Sequence, residues 1–165
     1  MAEEVWVVNS SPTILLAKSR HLDLLLQLSR EVLVPEAVAS EILKGPPTDP
    51  ARGLIEGGWG IRVPAAATPP SVVEWGLGAG ETAVIATGLS RPGSTLVLDD
   101  AAARACARAF GLPVIGTLGV VLRAKKTGMI ESASAVLRAL RSAGLYLDAL
   151  IRDALARVAG EVWEP

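Results

Sequence analysis

The sequence predicts an α/β protein in which helices cover both faces of a parallel sheet. Short apolar segments alternate along the chain with segments of helical periodicity, a pattern typical of parallel strands joined by helices. Half of the 165 residues are hydrophobic, but aromatic residues make up only 4%. The core must therefore depend on Ala, Val, Leu and Ile, which suits buried parallel strands. The length favours one domain over residues 1–165 that needs no disulfide or structural metal.

The amino-terminal half begins with a strand over Val5–Val8. Ser11 followed by Pro12 predicts the cap and first residue of a helix that extends as far as Leu22–Leu28. The sequence then predicts strands over 32–34 and 61–63, the latter at an edge, and helices over 36–43 and 49–57. Residues 65–71 are rich in Pro and Ala and predict a loop, because they are too few and too apolar for a disordered linker.

The carboxyl-terminal half continues the alternation. A helix is predicted from Glu81 to Leu89, after a glycine-rich segment. The remaining predictions are strands over 95–98 and 113–115 and helices over 101–110, 116–126, 133–141 and 147–158. We expect a core over 5–130 that is followed by C-terminal helices over 131–160.

Charge and composition exclude several classes of function. The net charge of −1 gives no overall basic character, so nucleic-acid contact would need a local patch. The first residues lack the positive charge of a signal peptide, and no apolar run reaches the roughly 18 residues of a membrane span. We therefore expect a cytoplasmic protein with no membrane association. Cys106, the only cysteine, excludes an intramolecular disulfide and is expected to be a buried packing residue.

Polar side chains follow two of the predicted strands. Asn9 follows the first strand, and Asp99 and Asp100 follow the strand over 95–98. The carboxyl ends of parallel strands form the ligand-binding edge of an open sheet, so we expect Asn9 and at least one of the two aspartates there. Asp100 has an alternative role as the cap of the next helix. Asp99 is therefore the stronger candidate for a site residue.

Two glutamates add to this pattern. Glu41 is flanked by Val38 and Ile42, which places it at the border of a buried helix face, and Glu81 lies in a first helical turn, where an acid complements the helix dipole. Each is a weak signal alone, since both are ordinary positions for a solvated acid. Together with Asp99 they predict an acidic cluster, which favours a bound cation because carboxylates repel one another. Mg²⁺ and Mn²⁺ accept such oxygen ligands and can activate water against a phosphodiester.

Four segments and the trailing helices carry a resemblance to a known family. The segments are VVNSSPTILLAK, LVPEAVASEI, GLGAGETAVIATG and LVLDDAAARACARAFGLPVIGTLGVVLRAKKTGMI. In this order they cover most of residues 5–158 and resemble the PIN-domain family, most closely the PIN-like branch related to VapC toxins. The resemblance implies a three-layer α/β/α sandwich with a central parallel sheet. It also implies an acidic pocket in which active members bind Mg²⁺ or Mn²⁺ and cleave RNA.

The resemblance also implies roles for individual residues. The implied catalytic residues are Asn9, Glu41, Glu81 and Asp99, and the implied metal ligands are Glu41, Glu81, Asp99 and Asp100. Ser11 matches the small hydroxyl residue that follows the first acid of the family and is expected to orient a ligand or phosphate. Arg104 and Arg108 lie four residues apart on one predicted helix and are the expected RNA contacts, although basic residues also favour helix C-termini.

Asn9 departs from the family, which usually has Asp at this position. Asn keeps one carbonyl acceptor but loses the charge and adds an NH₂ donor. The change should weaken cation binding and lower the rate of cleavage. Three interpretations follow: a weak nuclease, an inactive relative kept for binding, or an engineered or deamidating site.

The leading hypothesis is a metal-dependent endoribonuclease of toxin–antitoxin type, attenuated by Asn9. The alternative is a catalytically inactive PIN-like module that binds RNA or a protein partner. A third and weaker interpretation is a small-molecule-binding domain of flavodoxin-like topology, which the absence of a phosphate loop and the clustered acids oppose. A small antitoxin protein and a second copy of the chain in a homodimer are the partners that the resemblance implies.

Overall fold

A parallel sheet of five strands forms the centre of the computed structural model, which describes residues 3–147 and 151–163. The strands are β1 (Val5–Val8), β2 (Glu31–Pro35), β3 (Ile61–Val63), β4 (Thr95–Val97) and β5 (Val114–Ile115). Their order across the sheet is β3-β2-β1-β4-β5, and every neighbouring pair is parallel. Therefore β2 and β3 lie on one side of β1, and β4 and β5, which come later in the chain, lie on the other side. The β1–β4 boundary is the switch point at which open α/β sheets form their ligand crevice.

Helices separate the strands and cover both faces of the sheet. They are α1 (Ser10–Lys18), α2 (Asp23–Leu28), α3 (Glu36–Leu43), α4 (Pro50–Glu56), α5 (Pro70–Val73), α6 (Ala79–Ser90), α7 (Ala101–Ala109), α8 (Thr117–Lys126), α9 (Ala133–Ser142) and α10 (Ile151–Ala154), which continues as a π-helical turn over Leu155–Ala159. Consecutive residues of β1, β2 and β4 are buried, as expected when helices cover both faces. The predicted three-layer α/β/α sandwich is confirmed. Cys106 is buried in α7, as predicted.

The start of α1 differs from the prediction. Asn9, rather than Ser11, is the residue between strand and helix: its backbone is extended, and its N–H donates to the carbonyl of Val97 across 3.2 Å. Its carbonyl accepts a hydrogen bond from the hydroxyl of Thr13 at 2.7 Å. Pro12 is the third helical residue, where its missing N–H costs nothing because first-turn N–H groups have no partner within the helix. The chain therefore turns directly from β1 into α1 and places Asn9 at the sheet edge.

Other boundaries also differ. The helix that was predicted to continue to Leu28 is interrupted after Lys18, where Arg20 adopts a left-handed backbone with φ of 63°. The short helix α5 begins at Pro70, inside the segment 65–71 that was predicted as a loop, and continues to Val73. Part of the helix predicted over 147–158 lies outside the described residues. No helix in the two described ranges is both long enough and apolar enough to cross a membrane.

Hydrogen bonds of Glu161 hold the C-terminal segment against the start of α9. Its carboxylate accepts hydrogen bonds from the Ser132 hydroxyl at 2.9 Å and from the backbone N–H groups of Ala133 at 2.8 Å and Ser134 at 3.2 Å. Burial alone would raise the pKa of Glu161, but these hydrogen bonds and the charge of Lys125 lower it below its ordinary value. The contact ties the end of the described chain to α9, and Ile151 of α10 contributes to one wall of the cleft described next.

Candidate active site

The carboxyl ends of the central strands open into a cleft of about 890 Å³. Its polar end is formed by Asn9, Ser11, Glu81, Asp99, Asp100 and Arg104. Its other wall is apolar and comes from β5, α8, residues 144–147 and Ile151. The structure therefore brings six of the predicted site residues into one cleft, whereas Glu41 and Arg108 do not line it. The volume is within the about 300–1,000 Å³ that ligand sites usually occupy.

Asp99 is held in a fixed orientation at the polar end. In the register of β1 with β4, Val8 pairs with Val97, so Asn9 and Asp99 emerge from adjacent strand ends. Oδ1 of Asp99 accepts a hydrogen bond from the backbone N–H of Thr117 at 2.7 Å, and Oδ2 accepts one from the Thr117 hydroxyl at 2.6 Å. A carboxylate has about four lone-pair sites, so two such bonds leave it able to accept more ligands.

The sequence patterns did not single out Thr117, although a signal for it existed. Thr117 is fully buried and is the first residue of α8, directly after the end of β5 and Gly116. The strand-end rule that identified Asn9 and Asp99 applies equally to β5. Gly116 leaves room for these side chains, since a Cβ at this position would lie 3.1 Å from Oδ1 of Asp99 and 2.8 Å from Nη1 of Arg104.

Asp100 is the N-cap of α7. Its side chain accepts a hydrogen bond from the backbone N–H of Ala103 at 2.9 Å, which confirms the capping alternative. The side chain is exposed and still borders the cleft. Capping therefore leaves Asp100 within reach of a ligand but fixes one of its oxygens.

Glu41 lies exposed on α3, outside the cleft, and contacts residues from two other elements. Oε1 accepts a hydrogen bond from the backbone N–H of Gly80 at 2.9 Å, and Oε2 accepts one from the hydroxyl of Ser10. The Ser10 oxygen is also 3.5 Å from Oδ1 of Asn9. A hydroxyl has a single proton, and the shorter contact assigns it to Glu41. Ser10 thus binds Glu41 and lies beside Asn9, whereas Ser11, the predicted hydroxyl, is at the polar end of the cleft.

Gly80 leaves room for the carboxylate of Glu41. A Cβ on Gly80 would lie 2.6 and 2.7 Å from the two carboxylate oxygens of Glu41, closer than van der Waals contact allows. The backbone N–H of Gly80 belongs to the first turn of α6, where the helix dipole favours a negative charge. The glycine-rich segment before Glu81 therefore positions a carboxylate rather than a phosphate.

Glu81 caps the start of α6. Its Oε2 accepts a hydrogen bond from the backbone N–H of Gly78 at 3.0 Å, as in a capping box. The side chain is half-buried and borders the cleft. Glu81 therefore has a structural role and, in addition, a position from which it can reach a ligand.

Arg104 is the cation at the polar end of the cleft. Its Nη1 donates to the carbonyl of Leu98 at 2.8 Å, which holds the guanidinium beside Asp99. Burial and the charge of Arg108 lower the pKa of Arg104, and the charge of Asp99 opposes this shift. Arginine remains charged under all ordinary conditions. Of the two predicted RNA contacts, only Arg104 lines the cleft.

The oxygen donors at the polar end suit a hydrated divalent cation. Among residues 3–147 and 151–163, no three His, Cys, Asp or Glu side chains come together in a way that could hold a metal ion. The cleft nevertheless presents the carboxylate of Asp99, those of Glu81 and Asp100, and the amide of Asn9. Mg²⁺ usually keeps several waters and is bound through one or two carboxylates. The donor chemistry fits that mode and does not fit a closed cage of carboxylates.

Comparison with protein families gives one match. A family model described as a PIN domain matches residues 5–161, nearly the whole chain. No curated protein matches the chain. The PIN domain is a nuclease-type fold, and its nucleases act on RNA and generally depend on divalent metal.

Proposed function

The chain belongs to the PIN-domain family, and we propose that it is a metal-dependent endoribonuclease attenuated by Asn9. The observation that supports this function most strongly is the environment of Asp99. Asp99 follows a central strand at the switch point of the sheet, lines the cleft and has both carboxylate oxygens oriented by Thr117. A carboxylate fixed in this way is pre-organised to bind a cation beside a phosphodiester.

Mg²⁺ or Mn²⁺ would be held by Asp99 and by one further oxygen donor among Glu81, Asp100 and the amide of Asn9, with retained waters as its other ligands. Such an ion, when bound, activates a water and stabilises the charge that develops on the phosphodiester. The protein's own contribution is to bind and orient the substrate. Arg104 offers a guanidinium at the polar end of the cleft, and its planar donors match phosphate oxygens.

Glu41 and Ser10 have a positioning role in this proposal. The hydrogen bond from Ser10 to Glu41 and the proximity of Ser10 to Asn9 connect α3 with the end of β1. Because Gly80 donates to the same carboxylate, Glu41 also ties the start of α6 to this edge. Glu41 thereby keeps Asn9 and Glu81 in their places around the cleft. Ser11, which is exposed on the wall, is available to a phosphate oxygen.

The second candidate function is a catalytically inactive module that binds RNA or a protein partner. It is favoured by the amide at position 9 and by the lack of three converging metal-ligating side chains among the described residues. The toxin–antitoxin role, an antitoxin partner and a homodimer are parts of the proposal that rest on the resemblance to VapC relatives. The interpretation of residues 1–165 as a single domain is likewise a proposal.

Removal of divalent metal tests the proposed function. We expect the protein to cleave a mixed, end-labelled RNA pool in Mn²⁺ or Mg²⁺, with loss of cleavage in EDTA and recovery when the metal is restored. The readout is the pattern of fragments on a denaturing gel. Undiminished cleavage in EDTA would contradict metal dependence. RNA binding without cleavage in either metal would favour the inactive module.

Replacing Gly80 with Ala tests the positioning role of Glu41. The new Cβ must displace the Glu41 carboxylate, which is the mobile end of a long side chain, so the fold should persist. We expect cleavage to fall by about 10- to 100-fold, the effect of misplacing catalytic groups by about 1 Å. Gly53→Ala is the matched control, since Gly53 also lies in a helix and nothing is within 4 Å of its Cβ position. Equal activity of the two variants would show that the position of the Glu41 carboxylate does not affect cleavage.

A further inference from the structure

The apolar wall of the cleft carries an exposed aromatic side chain. Of the aromatic side chains within the described ranges, Tyr146 is the one that lines the cleft, and it is 87% exposed. Its neighbours Leu145 and Leu147 are partly buried against the core. Tyr146 thus lies between two anchored leucines that also line the cleft, and solvent has access to its side chain.

The backbone that presents Tyr146 is fixed to α9. The N–H of Leu145 donates to the carbonyl of Leu140 at 2.9 Å, and the N–H of Gly144 donates to the carbonyl of Arg141 at 3.0 Å. Gly144 has a φ of 115°, a conformation that L side chains rarely adopt. The turn is therefore specified by the sequence, and the backbone directly before Tyr146 is fixed to α9 before any ligand binds.

The cleft combines three features that a single-stranded nucleic acid needs. Asp99 and Arg104 at the polar end suit a phosphate with a cation beside it, and the opposite wall is apolar. Tyr146 adds a flat π-surface, on which an unpaired base can stack irrespective of its identity. In a duplex, both faces of each base are covered by the neighbouring base pairs, so an internal base cannot use this surface.

We propose that Tyr146 is a stacking platform for an unpaired nucleobase next to the phosphate at the polar end. The inference rests on the proposed function and assigns to it a residue that binds an unpaired base. Tyr146 is a substrate-binding residue in this view and takes no part in the chemical step.

Binding of a fluorescently labelled single-stranded RNA of about eight nucleotides tests the proposal without need of cleavage. All measurements use the Asp99→Asn background in Mg²⁺, so that the probe stays intact. We expect Tyr146→Ala to weaken binding by about 5- to 150-fold, which corresponds to the about 1–3 kcal/mol of one base stacked on an aromatic ring. Tyr146→Phe should bind within about twofold of the Tyr146 protein, because it keeps the ring.

Two controls separate stacking from a general loss of structure. Trp75 is 41% exposed and does not line the cleft, so Trp75→Ala should leave RNA binding unchanged. An abasic probe of the same length should bind the Tyr146 protein and Tyr146→Ala equally, since it has no base to stack. If Tyr146→Ala lost as much affinity for the abasic probe as for the probe with bases, the proposal would be overturned.

The outcomes distinguish this inference from the proposed function. If the protein with native Asp99 cleaves RNA but Tyr146→Ala binds the probe normally, the nuclease function stands and the stacking role fails; Tyr146 would then be a candidate contact for a protein partner. If the protein with native Asp99 does not cleave RNA but Tyr146→Ala loses affinity for the probe, the stacking role holds for a protein that binds RNA without cleaving it. If the Tyr146 protein does not bind the single-stranded probe, the inference is overturned.

Discussion

Replacing Asn9 with Asp is expected to raise RNA cleavage in Mn²⁺ by about tenfold or more. The substitution keeps the shape of the side chain and adds a negative charge at the polar end of the cleft. One charge–charge interaction at about 4 Å is worth about 1–4 kcal/mol, depending on the local dielectric, and each 1.36 kcal/mol corresponds to about tenfold. Asn9 is 5% exposed and leaves a strand end adjacent to the one that carries Asp99, so a carboxylate here would be shielded from bulk water and strongly coupled to a bound cation.

The measurement is the initial rate of cleavage as a function of Mn²⁺ concentration. We expect Asn9→Asp to reach half-maximal rate at a lower concentration of Mn²⁺ than the native chain. Asn9→Leu is the matched control, since its side chain has the same branched shape but no oxygen, and it should have no activity. Indistinguishable rates and metal dependence for the native chain and Asn9→Asp would mean that position 9 does not contact the cation.

Replacing Asp99 with Asn is expected to lower cleavage by about 100-fold or more. The loss of this charge removes the best-oriented oxygen ligand at the site, and metal-ion stabilisation of charge is worth several kcal/mol. The fold should persist, because the remaining carbonyl oxygen can still accept a hydrogen bond from the backbone N–H of Thr117. We therefore expect the loss of activity without a comparable fall in the melting temperature.

Asp23→Asn provides the matched control for this substitution. Asp23 is exposed at the start of α2 and does not line the cleft, so its replacement should leave cleavage unchanged. Activity that survives in Asp99→Asn would contradict the role of Asp99. A large fall in melting temperature with the loss of activity would instead point to a structural role for the Asp99–Thr117 pair.

Local patterns in the sequence were sufficient to predict the fold class and part of the site. The alternation of apolar and helical segments predicted the order of strands and helices, and the strand-end rule placed Asn9 and Asp99 at one edge. Both inferences use only the chain direction and the periodicity of neighbouring residues. Glu81 and Asp100 were also recognisable, because capping depends on the few residues that follow.

The residues that the sequence did not reveal depend on contacts between distant segments. Ser10 and Glu41 are 31 residues apart, Glu41 and Gly80 are 39 apart, and Asp99 and Thr117 are 18 apart. Each pair meets only because parallel strands bring their following segments to one edge of the sheet. Tyr146 faces the cleft because α9 and the following turn pack back toward α1 and α8. Periodicity cannot predict such a contact.

The start of α1 shows how a sound local rule can give the wrong boundary. Pro is favoured at the first helical position, which favoured Ser11 as the cap. In the structure, β1 ends at Val8 and the chain turns at once, so Ser10 and Ser11 become helical and Pro12 occupies the third position. The hydrogen bond from the backbone N–H of Asn9 to the carbonyl of Val97 fixes this boundary. A contact across the sheet therefore outweighs a preference of the helix alone.

The most direct test of the proposed nuclease site is cleavage of one labelled RNA pool in Mn²⁺ by three proteins side by side: the native chain, Asn9→Asp and Asp99→Asn. We expect weak cleavage by the native chain, stronger cleavage by Asn9→Asp and none by Asp99→Asn. Equal cleavage by all three would contradict a metal site at Asp99. If none of the three proteins cleaved the RNA although they bound it, this result would contradict nuclease function and favour the binding module.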